Sequence, residues 1–187
     1  ELGLGAGEKV VTTIGPFKPQ KNLLDFVRLC ARVVQEFGNT KFLLVGDGEQ
    51  RDKIAALILD LKVQDKLKLL GWRRDIPQIL ALTDVFVMTS LWEGLPRSVV
   101  EAMVSAKPVV ATAVDGTREI VQQGITGYLV KPFDIETMAG YVVRLLQDDH
   151  LARRLGTAGK DKISSAFDID VMVRQQEQLY MNLLVSK

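Results

Sequence analysis

Glu93 and Glu101 are separated by seven residues in "EGLPRSVVEAM", residues 93–103. Pro96 ahead of an apolar run reads as a helix N-terminus, where proline costs nothing because its missing N–H would be unpaired anyway. The free amides of such an end favour a phosphate. Glu101 then lies about one turn inside the helix, while Glu93 stands ahead of it. A carboxylate accepts two hydroxyl donors well, so carboxylates on either side of a phosphate suit the hydroxyls of two sugars. Gly94 lets another group approach the main chain closely. The same residues also make an ordinary helix, with Glu93 as its cap and Glu101 solvated. Their place in the fold has to decide.

The elements around them alternate. Strand-like runs at 9–14, 41–46, 66–71, 84–89, 108–113 and 127–130 are interleaved with helical patterns near 22–37, 49–61, 75–82, 97–105, 116–123 and 135–147. Continuous β-branched runs suit strands covered on both faces, and strand-helix-strand repetition predicts an α/β fold with a doubly wound parallel sheet of six strands. Beyond residue 134 the pattern is helical to the end, with Asp134 and Asp168 at N-cap positions. Residues 1–8 read as a linker or tail, 9–167 as a Rossmann-like domain and 168–187 as a C-terminal helix. The opening "ELGLGAGEKVV" lacks an initiator Met and a signal pattern, so the chain is expected to be cut from a longer protein.

The connections locate the site. Loops that enter strands are short ("GNT", "VQD", "TD", "SAK"), whereas loops that leave them are "GPFKPQKN", "GDGEQ", "GWRRD", "SLWEGLPR" and "VDGT". These carry Lys18, Lys21, Arg73, Arg74, Arg97, Trp72 and Trp92, and all project from the carboxyl edge of a parallel sheet, where ligands bind. Composition excludes other classes. With 24 basic and 23 acidic residues the net charge is +1, which argues against a nucleic-acid binder. No stretch approaches the roughly 18 apolar residues of a membrane span. The one cysteine, Cys30, lies in an apolar helical pattern and makes no internal disulfide, so a reducing cytoplasm is the default.

"SLWEGLPRSVVEAM…KPVVAT…DGTREIVQQGITGYLV" resembles the C-terminal, donor-binding half of the large retaining family of nucleotide-sugar glycosyltransferases with the GT-B fold. "KNLLDFVRLCARV", "FLLVGDGEQRDKI", "LKLLGWRRDIPQILALTDVFVMTS" and "LGTAGKDKISSAF" continue the match from about residue 10 to 168. The resemblance implies that Glu93 to Glu101 is the family's E-x7-E element. It implies Glu101 on the ribose hydroxyls, with Glu93 and the main chain after it (Gly94, Leu95, Pro96) facing sugar and phosphates. Gly15 and Lys21 match the family's first loop, with Lys21 on the diphosphate, but Pro16 stands where the family usually has Arg. Lys18 or an Arg from another rim loop could replace that guanidinium.

Trp72 either stacks on the base or pins its loop, and Arg73 and Arg74 face phosphate or solvent. Gly116 is expected to let its loop approach the donor sugar, and Thr117 to cap the next helix. "GDGEQ" is a tight turn, since it lacks the Lys-Ser/Thr ending of a nucleotide-hydrolase loop. Ala106, where the family commonly has glycine, should affect only a turn on the far edge.

The function implied is transfer of a hexosyl group from a nucleotide diphosphate sugar, with retention, without a metal and with no cofactor beyond the donor. Lys21 and Glu93 are the catalytic candidates, neither of them as a general base. Asp168 and Asp170 spell a metal-binding pair but fit helix capping better. His150 is taken as structural. The expected partners are the donor and an absent N-terminal acceptor domain of the same protein. No nucleic acid and no transmembrane segment are expected, which leaves peripheral membrane contact open. A nucleotide-sugar epimerase of the same architecture and a non-catalytic binding module remain the alternatives. Met172, Leu179, Tyr180 and Leu183 lie at helical spacing in the last helix, which either reaches toward the absent domain or packs on its own.

Overall fold

The computed structural model describes residues 3–5, 7–163, 167 and 169–185. Strands β1 (Lys9–Ile14), β2 (Thr40–Val45), β3 (Leu67–Gly71), β4 (Val85–Met88), β5 (Val109–Thr112) and β6 (Gly127–Val130) fall within one residue of their expected bounds. Between them run α1 (Leu23–Glu36), α2 (Arg51–Asp60), α3 (Ile76–Leu82), α4 (Arg97–Val104) and α5 (Asp115–Ile120). Helices α6 (Ile135–Gln147), α7 (Asp149–Lys162) and α8 (Ile169–Val185) follow. The Asp134 carboxylate accepts from the Thr137 amide at 3.1 Å and so caps α6 as expected. Asp168 lies outside the described residues.

Every strand pairing is parallel, in the order β3-β2-β1-β4-β5-β6. Alternate residues of each strand serve opposite layers. Val11, Phe42, Leu44, Val85, Val87, Val110 and Val130 pack under α1, α2 and α6. Their neighbours Val10, Leu43, Val45, Phe86, Met88, Val109 and Ala111 pack under α3, α4 and α5. Both faces are sealed, so the strands read as unbroken apolar runs. The chain winds outward from β1 in one direction and from β4 in the other. Their carboxyl ends therefore diverge into a crevice, the topological switch point of the sheet.

Cys30 is fully buried in α1, and that burial pushes its thiol up to about 12, which suits a packing role. No residue of α8 is buried: Leu179, Tyr180 and Leu183 stand exposed, while Met172 borders a groove beside α4. At the far edge, α4 ends in a Schellman motif. The Lys107 amide donates to the Ala102 carbonyl (2.9 Å) and the Ala106 amide to the Met103 carbonyl (2.8 Å). This places Ala106 at a φ of 54°, in the left-handed region that favours glycine. Ala106→Gly relieves that strain while adding backbone entropy to the unfolded chain. It should stabilise the protein by about 0.5–1 kcal/mol in urea unfolding.

Candidate functional site

The site begins with the loop after β1. The Phe17 ring is fully buried, and its main chain is stapled to the loop after β2. The Phe17 amide donates to the Asp47 carbonyl (2.8 Å), and the Gln50 amide donates to the Phe17 carbonyl (3.0 Å). Gly46 sits at a φ of 130°, and a Cβ there would lie 2.0 Å from the Gly15 carbonyl oxygen. Only glycine lets the two loops close, and "GDGEQ" turns tightly here. A 3-10 turn at Pro19–Lys21 then folds Lys21 back, so that its stem passes 3.4 Å from where a Gly15 Cβ would stand.

Folded back in this way, Lys21 meets the loop after β4. Its ammonium donates to Glu93 Oε1 at 2.5 Å, with the two side chains 15% and 7% exposed. Three further bonds join the same loops. The Leu91 amide donates to the Gln20 carbonyl (2.8 Å), Gln20 Nε2 to the Trp92 carbonyl (2.8 Å), and the Thr89 hydroxyl to the Lys21 carbonyl (2.9 Å). From β5, the Thr112 hydroxyl donates to the Ser90 carbonyl at 2.5 Å. Glu93 is therefore a buried ion-pair partner, not a helix cap. The N-cap of α4 is Pro96, which makes no side-chain cap bond, and among the described residues the Arg97 and Ser98 amides have no acceptor.

These loops wall a cleft of about 410 Å³ over the switch point, with Ile14, Val45 and Ile76 at its base. Of the expected residues, Gly15, Lys21, Trp72, Arg73, Glu93, Leu95 and Glu101 line it. Gly94 is exposed beside it and Pro96 is buried. Gly116 does not reach it. Its Cβ position lies 1.4 Å from the Gly94 carbonyl oxygen, and its amide donates to the Glu93 carbonyl at 3.2 Å. The glycine admits the neighbouring loop. Thr117 is no cap either. Helix α5 starts two residues earlier, after Val114, and leaves the Thr117 hydroxyl buried and without a partner among the described residues.

Trp72 is 70% exposed, which rules out the pinning role and leaves its ring available at the cleft. Arg73 is already engaged. Its Nε and Nη2 reach both carboxylate oxygens of Asp75 at 2.8 and 2.6 Å, and this guanidinium holds the Asp75 carboxyl below the usual aspartate range. Arg74 is exposed away from the cleft. Pro16, Gly46, Arg97 and Ser98 complete the lining. Ser98 carried no sequence signal beyond its place in the first turn of a helix. A second groove of about 690 Å³ adjoins the first at Leu95, Arg97 and Glu101, and is closed by Phe167, Ile169 and Met172. His150 is exposed in α7, and no group of three His, Cys, Asp or Glu among the described residues could hold a metal ion. No helix among them is long and apolar enough to cross a membrane.

Removing one partner of a mostly buried ion pair leaves the other charge uncompensated. Lys21→Met or Glu93→Gln alone should each destabilise the chain by about 3 kcal/mol in urea unfolding. The double variant should recover at least half of the summed loss, and strict additivity would deny the coupling.

The model for the family described as glycosyl transferases group 1 matches residues 1–162. The chain is 33% identical, over its full length, to an Escherichia coli UDP-Gal:alpha-D-GlcNAc-diphosphoundecaprenol alpha-1,3-galactosyltransferase, of which it covers 49%. It is 32% identical over 98% of its length to N-acetyl-alpha-D-glucosaminyl L-malate synthase of Bacillus anthracis, covering 48% of that protein. The chain thus spans about half the length of these curated relatives. Among solved structures, a sucrose-phosphate synthase from Thermosynechococcus elongatus superposes over the whole chain and 48% of its own, with a TM-score of 0.91 and 28% identity. HepE of Anabaena, in complex with UDP and glucose, superposes over 95% of this chain and 49% of its own, with a TM-score of 0.88 and 27% identity.

Proposed function

The chain belongs to the glycosyl transferases group 1, and on that premise we propose that it is the donor-binding half of an enzyme that transfers a hexosyl group from a nucleotide diphosphate sugar to an acceptor, with retention of configuration. One observation carries this reading. The Lys21–Glu93 pair, the open first turn of α4 and Glu101 share one cleft over the switch point between β1 and β4. The UDP-galactose-dependent relative and the UDP-bound neighbour support it.

In this cleft Glu101, about one turn into α4, accepts the ribose hydroxyls, and Trp72 offers an indole face to the base. The end of α4 and Lys21 face the diphosphate and stabilise the charge that develops as it departs, with no metal required. The ammonium has three protons, so Lys21 can hold Glu93 and a phosphate oxygen together. Glu93, fixed in place by that contact, presents its other oxygen to the donor sugar. Neither glutamate acts as a general base. The acceptor site lies in the rest of the protein, so the 187-residue chain alone binds donor but turns over little.

Calorimetry tests this reading. Glu101→Ala should weaken binding of the preferred nucleoside diphosphate roughly 10- to 100-fold, the range for a lost hydrogen bond to a charged group. Undiminished binding would remove the ribose assignment.

A further inference from the structure

A diphosphate needs compensating donors, and in the main chain of the loop after β1 only the Gln20 amide has no acceptor among the described residues. Pro16 has no N–H. The amides of Gly15, Phe17, Lys18 and Lys21 already donate to the carbonyls of Val45, Asp47, Pro16 and Lys18. Among side chains, three cations line the cleft: Lys21, Arg73 and Arg97. Lys21 is neutralised by Glu93 and Arg73 by Asp75. Glu101 adds a negative charge of its own. Without Arg97 the charged lining residues and Asp75, the partner of Arg73, would together carry a net charge of about −1 where an anion has to be received.

Arg97 has no acidic partner and no side-chain hydrogen bond among the described residues, and it borders both the cleft and the adjoining groove. It is the first residue of α4, so its guanidinium and the unpaired amides of Arg97 and Ser98 lie at the same end. A guanidinium forks onto two phosphate oxygens, which a point charge cannot do. Lys18 is exposed and outside the cleft.

We propose that Arg97 recognises the diphosphate in this chain, forking onto its oxygens above the first turn of α4 while Lys21 stays engaged with Glu93. The assignment rests on the donor-binding reading above. It answers the question that Pro16 raises: the replacement guanidinium comes from α4, not from Lys18.

The test is calorimetry on the full 187-residue chain with UDP, GDP and ADP in turn, then with the matching nucleoside. Arg97→Ala should weaken the diphosphate that binds by at least about tenfold and leave the nucleoside unchanged. Arg97→Lys should fall between the two, and Lys18→Ala should match the unaltered chain. Diphosphate binding untouched by Arg97→Ala, or an equal loss for diphosphate and nucleoside, would overturn the role of Arg97 alone. If the unaltered chain binds none of the three diphosphates, the donor-site reading itself falls.

Discussion

The contact between Lys21 and Glu93 joins two loops 72 residues apart in sequence, across the line where the sheet changes winding direction. Desolvating two charges costs several kcal/mol per ion, and only good geometry with supporting hydrogen bonds offsets it. That support comes from three bonds between the same loops and from Thr112 beneath Ser90. Glu93 is thereby held before any ligand arrives. A side chain positioned in advance incurs no further ordering cost when a ligand binds.

The rest of the structure provides the conditions for that contact. Both sheet faces are sealed by helices, so ligand access is confined to the strand ends. Glycines at 46 and 116 let neighbouring loops close on Gly15 and Gly94. These clearances are structural, and they set the shape of the cleft without lining all of it. Helix α4 then brings an open N-terminus and Glu101 beside the Lys21–Glu93 pair, where charge is nearly balanced. The balance is local: Lys21 with Glu93, Arg73 with Asp75, and Arg97 near Glu101 on one helix face.

Much of this was legible in the sequence because it depends on local pattern. Apolar runs and turn residues located six strands to within one residue, and strand-helix alternation gave the parallel sheet. The contrast between bland and ornate loops located the rim. What escaped depends on tertiary partners. Neither "GPFKPQKN" nor "SLWEGLPR" shows that Lys21 and Glu93 will pair. Arg73 was nearer to being readable, since Arg-x-Asp ahead of a helix allows the fork onto Asp75. A rim glycine such as Gly116 signals a close approach, but which group approaches, here the Gly94 carbonyl, is set by packing. Thr117 failed for a simpler reason, since α5 begins two residues before it. The exposure of α8 also lies beyond a periodicity argument, because spacing shows a stripe but not what covers it.

The central claim is that this cleft holds a nucleoside diphosphate through its ribose on Glu101. The most direct measurement compares the affinity of a nucleoside diphosphate with that of its 2′,3′-dideoxy analogue, in the unaltered chain and in Glu101→Ala. Loss of both hydroxyls should weaken binding to the unaltered chain by at least about tenfold and make no difference in the variant. An equal loss in both proteins would contradict the account.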